Sequence, residues 1–411
     1  MIKLNTTNIA QGQLVQKMKI VGNSRYQKEA NALLILNLLR RNPTSRVTIA
    51  HELGLQNSTV SYNIVRLLEN GSILEGNPIM DSPMKQGKKG PKANLMKLNP
   101  EFGRVVGIEM LSSLYRIFLS DITGSPLFKA EFPYSTHQVS GSRARFEDLV
   151  DEVLVKASEI CGTIPLLGVC IAVPGIVMEG NTCIDECWTH GLYKAEFSKF
   201  LTRFPFPVIF ENDANCCAVK YLFNNEDSHD SYFYLLSRQH RLEVVPEEIP
   251  TIGLGLGVVI RGKLFRGTFA RSGEFRSSSL MGTGLPGQVN LSKAQMLCLE
   301  TDLSIRKMFI RNLLADLFCT ISIFDPRTLY IGGFLASPPY RDTLTEVFQT
   351  ELTDSWLQDK WQGEMILVHE TLFDPAEGAA DLVLDLLFRV PQIGNTVSDT
   401  IRWNALLKDI I

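Results

Sequence analysis

Asp213 stands where an apolar run, Pro207-Val208-Ile209-Phe210, passes through Glu211 and Asn212 into a helix pattern opening Ala214-Asn215. In open α/β sheets ligands gather at the carboxyl ends of strands. A carboxylate in that place can act as a ligand contact or as a general base on a hydroxyl. Helix capping is the competing role, and on this strand alone it has the stronger claim. Gly253, Gly255 and Gly257 alternate with Leu254 and Leu256, which suits either a phosphate cradle or a tightly packed strand. Ile331-Gly332-Gly333-Phe334, after Thr328-Leu329-Tyr330, is ambiguous in the same way. The eight cysteines have no regular spacing and read as reduced thiols. Adjacent Cys216 and Cys217 suit core packing.

Strands alternating with helices must position these groups from Phe102 onward. Val105–Met110 and Leu114–Asp121 read as strands, with Thr123-Gly124 turning into a third at Pro126–Ala130. Phe146–Cys161 is an amphipathic helix with Leu149, Val153, Leu154 and Ile160 on its apolar side. Leu167–Val173 is a strand that ends in the tight turn Pro174-Gly175.

The first hundred residues follow another pattern. An apolar helix from Ala30 ends in Arg40 and Arg41, followed by Pro43. A short helix, Val47–Leu55, is broken at Gly54, and a second runs from Gln56 to Leu68. In the second, Val60, Ile64, Leu67 and Leu68 define a buried face. Asn57, Ser58, Ser61 and Tyr62 are left on the other side, able to approach base edges. Ile73-Leu74 and Ala93–Leu98 read as two strands of a β-wing. Between them Lys85–Lys92 is basic, with Lys88 and Lys89 suited to phosphate contacts. This order of elements is that of a winged helix-turn-helix.

Charge divides the chain at the same place. Of 41 Lys+Arg and 44 Asp+Glu, residues 1–100 hold 14 basic and 5 acidic, leaving 27 and 39 for the rest. A basic module on an acidic body points to double-stranded DNA at one end and a different ligand at the other. The 45% hydrophobic and 21% charged residues are those of a globular chain of two or three domains. With no run of eighteen apolar residues and no apolar segment within Met1–Ile20, the expected location is cytoplasmic.

Together these pieces resemble the repressor–ORF–kinase (ROK) family, from about Leu33 to about Leu387. The resemblance rests on Ile171–Gly175, Glu211–Asn215, Gly262–Gly267, Ser272–Glu274, Phe324-Asp325-Pro326 and Ile331–Gly333. It implies a two-lobed actin-like (ribonuclease H-like) sugar-kinase fold of the α/β class behind the winged helix-turn-helix. The division expected is 1–82 for the DNA-binding domain, 83–100 for the basic wing and linker, and 101–411 for the kinase-like domain. By resemblance Asp213 matches the family's base, here vestigial, and Asn212, Glu274 and Asn290 match sugar contacts, the last altered from Glu. Trp188 and His190 precede a region of such contacts, where a lone His is more often structural.

The phosphate end departs from the family pattern. Where the first loop reads Asp-x-Gly-Gly-Thr, this chain has Glu109, Leu111, Ser112 and Ser113, so a side chain stands where backbone N–H groups should approach phosphate. The second loop keeps its three glycines but has Thr251-Ile252 for Gly-Thr, with Gln239–Pro250 resembling an insertion. Such changes weaken positioning and charge stabilisation in phosphoryl transfer. The family's zinc positions read Ser277, Met281, Thr283 and Gln288, so neither metal nor cofactor is expected. The expected function is a sequence-specific repressor of sugar metabolism, a homodimer or larger, released by a sugar or sugar derivative. An active sugar kinase with a regulatory DNA-binding domain is the alternative. A third reading, supported by the altered Asn290 and the tail Pro391–Ile411, has another protein controlling the repressor with the cleft vestigial. The tail's apolar residues, however, more often mean core or dimer packing.

Overall fold

The computed structural model describes residues 24–76, 94–135, 142–222, 230–241, 250–281, 287–350, 361–369 and 371–390. Three helices stand first: α1 (Ser24–Arg41), α2 (Arg46–Leu53) and α3 (Asn57–Glu69). Ser45 caps α2 by accepting from the Thr48 N–H, and Gly54 closes it at φ 60°, where glycine carries no Cβ penalty. Val60, Ile64 and Leu67 bury one face of α3, the face its spacing predicts. Strands β1 (Thr44–Ser45), β2 (Ile73–Gly76) and β3 (Leu95–Leu98) form one antiparallel sheet with β3 in the middle. Ile73 pairs with Leu98, as the hairpin reading expects. β1 is an addition, because two residues after Pro43 carry no strand pattern of their own. Lys88 and Lys89 lie outside the described residues.

A first lobe follows. It comprises β4 (Arg104–Met110), β5 (Leu114–Asp121), β6 (Pro126–Pro133), α4 (Arg143–Cys161), β7 (Leu166–Val173), β8 (Ile176–Val177), β9 (Cys183–Cys187), β10 (Leu192–Glu196), α5 (Ser198–Leu201) and β11 (Val208–Asn212). Its main sheet has the order β11-β7-β4-β5-β6, and β8, β9 and β10 form a small sheet of their own. Neighbouring residues of β4 face opposite ways: Val106 and Ile108 join Phe146, Val150 and Val153 of α4, whereas Val105 joins the apolar cluster on the other side.

α6 (Asp213–Leu222) leads into the second lobe, which holds β12 (Tyr232–Arg241), β13 (Pro250–Ile260), β14 (Lys263–Leu264), α7 (Lys293–Cys298), α8 (Leu303–Phe324), β15 (Thr328–Gly333), α9 (Tyr340–Thr350) and β16 (Glu364–Leu367). This sheet runs β14-β13-β12-β15-β16 and buries Phe233, Leu235 and Leu329 against Phe309, Leu313 and Leu317 of α8. The last described helix, α10 (Asp374–Phe388), returns to the first lobe and lies on β4 and β7 beside α6. α6 is shared by both lobes. Cys216 and Val219 pack into the first-lobe cluster, and Ala214, Cys217 and Ala218 meet Tyr232, Tyr234 and Leu236 of the second. Cys216 and Cys217 are fully buried, as expected of core residues. Among the described residues no helix is long and apolar enough to cross a membrane.

Candidate functional site

The lobes meet where three strands end. Glu109 is fully buried near the end of β4, Asp213 opens α6 after β11, and Arg238 projects from β12. Arg238 donates through Nε to Asp213 Oδ2 at 3.1 Å and through Nη2 to Glu109 Oε1. Arg116 of β5 holds the other Glu109 oxygen at 2.9 Å and donates to Glu131 at 2.8 Å. A guanidinium from the second lobe thus bridges two carboxylates of the first. Asp213 also accepts its own helix's Ala214 N–H at 2.9 Å, but the cap is Asn212, whose side chain accepts the Asn215 N–H. Burial raises the Asp213 carboxyl, Arg238 opposes that, and Glu109 adds to it. Burial alone would lower the Arg238 guanidinium, but Glu109 and Asp213 outweigh it and keep the charge fixed.

A second bridge runs beside the first. Fully buried Glu211 accepts from Arg266 Nε at 2.9 Å and from the Asn215 amide at 3.0 Å. A third joins Arg271 to Asp185 of β9 at 2.6 Å. In all three the arginine belongs to the second lobe and the carboxylate to the first.

Of the residues expected to hold a sugar, Asp213 and Glu274 are brought near each other. The Glu274 carboxylate belongs to an exposed residue whose backbone bridges Gly255 of β13. Crowding by protein first, and then Asp213 and Glu186, raise it to about 6. Asn212 donates to the Gly175 carbonyl at 3.0 Å and accepts the Asn215 N–H at 3.0 Å, which ties it into the strand-to-helix turn. Asn290 donates to the Ser279 carbonyl at 2.9 Å. It lines a shallow depression with Ser277, Phe275 and Asn312, whose lining includes neither Asp213 nor Glu274. His190 is buried against Phe146, with ring centroids 5.1 Å apart, and desolvation lowers it to about 4, consistent with a structural histidine. Trp188 beside it is 87% exposed.

The residues matched to the phosphate loops lie in a hairpin turn and in a strand. Leu111, Ser112 and Ser113 make the turn between β4 and β5, closed by Leu111 N–H on the Leu114 carbonyl at 3.0 Å. Thr251 to Gly257 are interior residues of β13, paired with β12 from Gly257 opposite Tyr234 to Thr251 opposite His240. The glycines there serve close packing. A Cβ on Gly257 would stand 2.3 Å from the Ala214 carbonyl oxygen, and one on Gly255 2.9 Å from the Ala214 Cβ. Gln239 and Arg241, read as the start of an insertion, extend the β12–β13 pairing; residues 242–249 lie outside the described ones. Between the lobes lies an open cavity of about 670 Å³, lined by Ser112, Ser113, Arg116, Ser237, Arg238 and Gln239 among others. Arg238 therefore stands between this cavity and Asp213.

At the zinc-matched positions, Gln288 makes three hydrogen bonds, to Leu254 N–H and carbonyl at 2.7 Å each and to the Phe275 carbonyl at 2.9 Å. The amide stitches β13 to the loop that a metal would otherwise cross-link. Thr283 is outside the described residues. Among those described, no cluster of three His, Cys, Asp or Glu could hold a metal ion.

No family model matches the chain. Curated relatives do: the xylose repressor of Caldicellulosiruptor bescii is 26% identical over 261 residues, 62% of this chain and 59% of the relative. That of Bacillus subtilis is 23% identical over 62% of each. Among solved structures, a ROK family transcriptional regulator, described as a homolog of the E. coli MLC protein, covers 87% of this chain and 97% of its own. Its TM-score is 0.63 at 15% identity. This chain shares the fold of that regulator. A ROK glucokinase from Streptomyces griseus, solved with glucose and AMPPNP, covers 68% of this chain and 99% of its own, with a TM-score of 0.51 and 18% identity. The body therefore has the two-lobed actin-like fold that the resemblance implies. The chain spans about three-fifths of the length of the curated relatives it matches.

Sequence reasoning missed Arg238, Arg266 and Glu211 as members of this cleft. Glu211 and Arg266 lie inside the segments Glu211–Asn215 and Gly262–Gly267, and their opposite charges were the available signal. Arg238 had none, since its place depends on how β12 registers with β13 and β15.

Proposed function

We propose that this chain is a DNA-binding transcriptional repressor whose body senses a sugar, with an aldopentose such as xylose the first candidate. The Arg238 bridge carries the choice between regulator and kinase. A base must be free to take a hydroxyl proton, and a phosphoryl donor must reach that hydroxyl in line. Here Asp213 is already paired, and the guanidinium stands between it and the cavity on the phosphate-loop side. The names of the curated relatives support the same reading.

The N-terminal unit is the reading end, a winged helix-turn-helix in which α3 enters the major groove. Asn57, Ser58, Ser61 and Tyr62 are exposed on α3, and Arg66 hydrogen-bonds the Tyr62 hydroxyl at 2.9 Å. Short polar side chains at the N-terminal end of such a helix suit base edges. Lys88 and Lys89 of the wing contact phosphate. Residues 1–82, 83–100 and 101–411 form the DNA-binding domain, wing and body, and a homodimer presents two reading helices to a two-fold operator. Asp213 and Glu274 accept the sugar's hydroxyls, with Asn212 holding the turn that aims Asp213 and Asn290 at the margin. Binding there shifts the lobes and, through the dimer, the spacing of the α3 helices.

The test is a thermal-shift series with D-xylose, other aldoses and ATP, followed by duplex-DNA binding with and without the responding sugar. A ligand bound by the native state alone raises Tm with concentration. The expected result is a rise with a sugar, lost in Asp213→Ala, and weaker DNA binding in its presence. Turnover of ATP with any of these sugars would overturn the reading in favour of a kinase.

A further inference from the structure

α10 touches both ends of the molecule. At its start Asp374 accepts from Lys220 Nζ at 2.6 Å and from the Tyr234 hydroxyl at 2.7 Å. Lys220 lies on α6, the helix that Asp213 opens, and Tyr234 on β12, the strand that carries Arg238. Along its length α10 has no slack. A Cβ on Gly107 of β4 would stand 1.8 Å from the Ala376 carbonyl, and one on Gly378 would stand 1.7 Å from that of Cys216. At its end the fully buried Phe388 meets α1. The Asn37 side chain donates both to the Phe388 carbonyl and to Leu33 O of its own helix. The Arg40 guanidinium lies over the Phe388 ring, 5.3 Å from its centroid, with Asp381 and Asp385 of α10 countering its desolvation. Leu36 and Leu39 share one apolar core with Leu384 and Leu387.

We propose that Asn37 and Arg40 are positioning residues that fix the angle of the reading unit on α10. They would make that helix, of 15 residues and about 22 Å, the mechanical link between cleft and α3. The proposal deepens the repressor reading and rests on it for what α3 does. Apolar contact is non-directional and permits sliding. The amide–carbonyl bond and the stacked, charge-flanked guanidinium are directional, and they sit at the far end of a helix locked to the cleft. In a dimer an angular change there becomes a change in half-site spacing.

Pulsed electron–electron distance measurement on the full chain tests this directly. Cys183, Cys298 and Cys319, the cysteines with solvent access, are replaced by Ser. Spin labels are placed at Val65→Cys on α3 and Val155→Cys on α4, both exposed, and the sample is diluted into unlabelled protein. The parent should give one narrow distance distribution. Asn37→Ala with Arg40→Met, which keeps the apolar seat, should broaden it at least twofold while Tm moves by only a few degrees. A distribution as narrow as the parent's would overturn the proposal. So would a variant that loses its cooperative melt altogether, since the residues would then be holding the fold rather than an angle. Low-salt binding of a random-sequence duplex is measured alongside. Broadening together with no duplex binding by the parent upholds the joint and removes the repressor reading instead.

Discussion

Arg238 reaches from β12 to Glu109 and Asp213, so the residue that the family resemblance marks as a proton acceptor is already in an ion pair. Removing one partner of such a buried group leaves uncompensated charge, which costs more than the pair contributes when intact. Arg238→Met should therefore lower unfolding stability by about 3–5 kcal/mol in a urea titration, and adding Asp213→Asn should recover part of the loss. Glu274 gives a pH dependence. Its carboxyl is raised to about 6, so the charged acceptor proposed for the sugar hydroxyls is present above that pH and lost as pH falls through it. Calorimetric titration of the responding sugar should show constant affinity above pH 7 and declining affinity below 6. Glu274→Gln should be weaker and flat over the same range. Legibility at this scale followed chain distance. Asp213 and Asn212 were readable because a strand end and a helix start adjoin in sequence. Arg238 and Glu109 are 129 residues apart, and no local pattern announces their meeting.

At the scale of elements, alternation and helical spacing anticipated most of what formed, including α3, the β2–β3 hairpin and the strands that flank α4. The glycines of β13 were the undecided case. Gly-x-Gly-x-Gly fits a phosphate loop and a packed strand equally until it is known what lies against it, and here α6 does. Gly257→Ala is the discriminating change. Its methyl would stand 2.3 Å from the Ala214 carbonyl, which requires α6 to move. Overpacking of this kind typically costs about 1–3 kcal/mol. The expected outcome is a lower Tm together with weakened sugar binding, because Asp213, the proposed sugar contact, begins the displaced helix. If the glycines instead served a phosphate, stability would be unchanged and only nucleotide binding would suffer.

For the whole molecule, a basic N-terminal segment and an acidic body were visible in composition, and they correspond to the helical unit with β1, β2 and β3 and to the two-lobed body. Composition could not show that the two share one apolar core through α1 and α10. That contact joins residues more than 300 apart, and each face would read as ordinary amphipathic patterning. If the basic wing contacts phosphate, Lys88→Ala with Lys89→Ala should weaken binding about equally on all duplexes. The slope of log affinity against log salt should fall by about one for each lysine. An unchanged slope would leave those lysines in solvent.

The open cavity of about 670 Å³ between the lobes has a thermodynamic consequence of its own. At about 30 Å³ per molecule it has room for roughly twenty waters. A lobe movement that narrows it must return some of that water to bulk, and solutes too large or too strongly excluded to enter would favour the narrower form. The sugar response of such a protein would then depend on osmotic pressure as well as on sugar concentration, with sucrose or trimethylamine oxide outside the cavity acting in the same direction as a ligand that draws the lobes together.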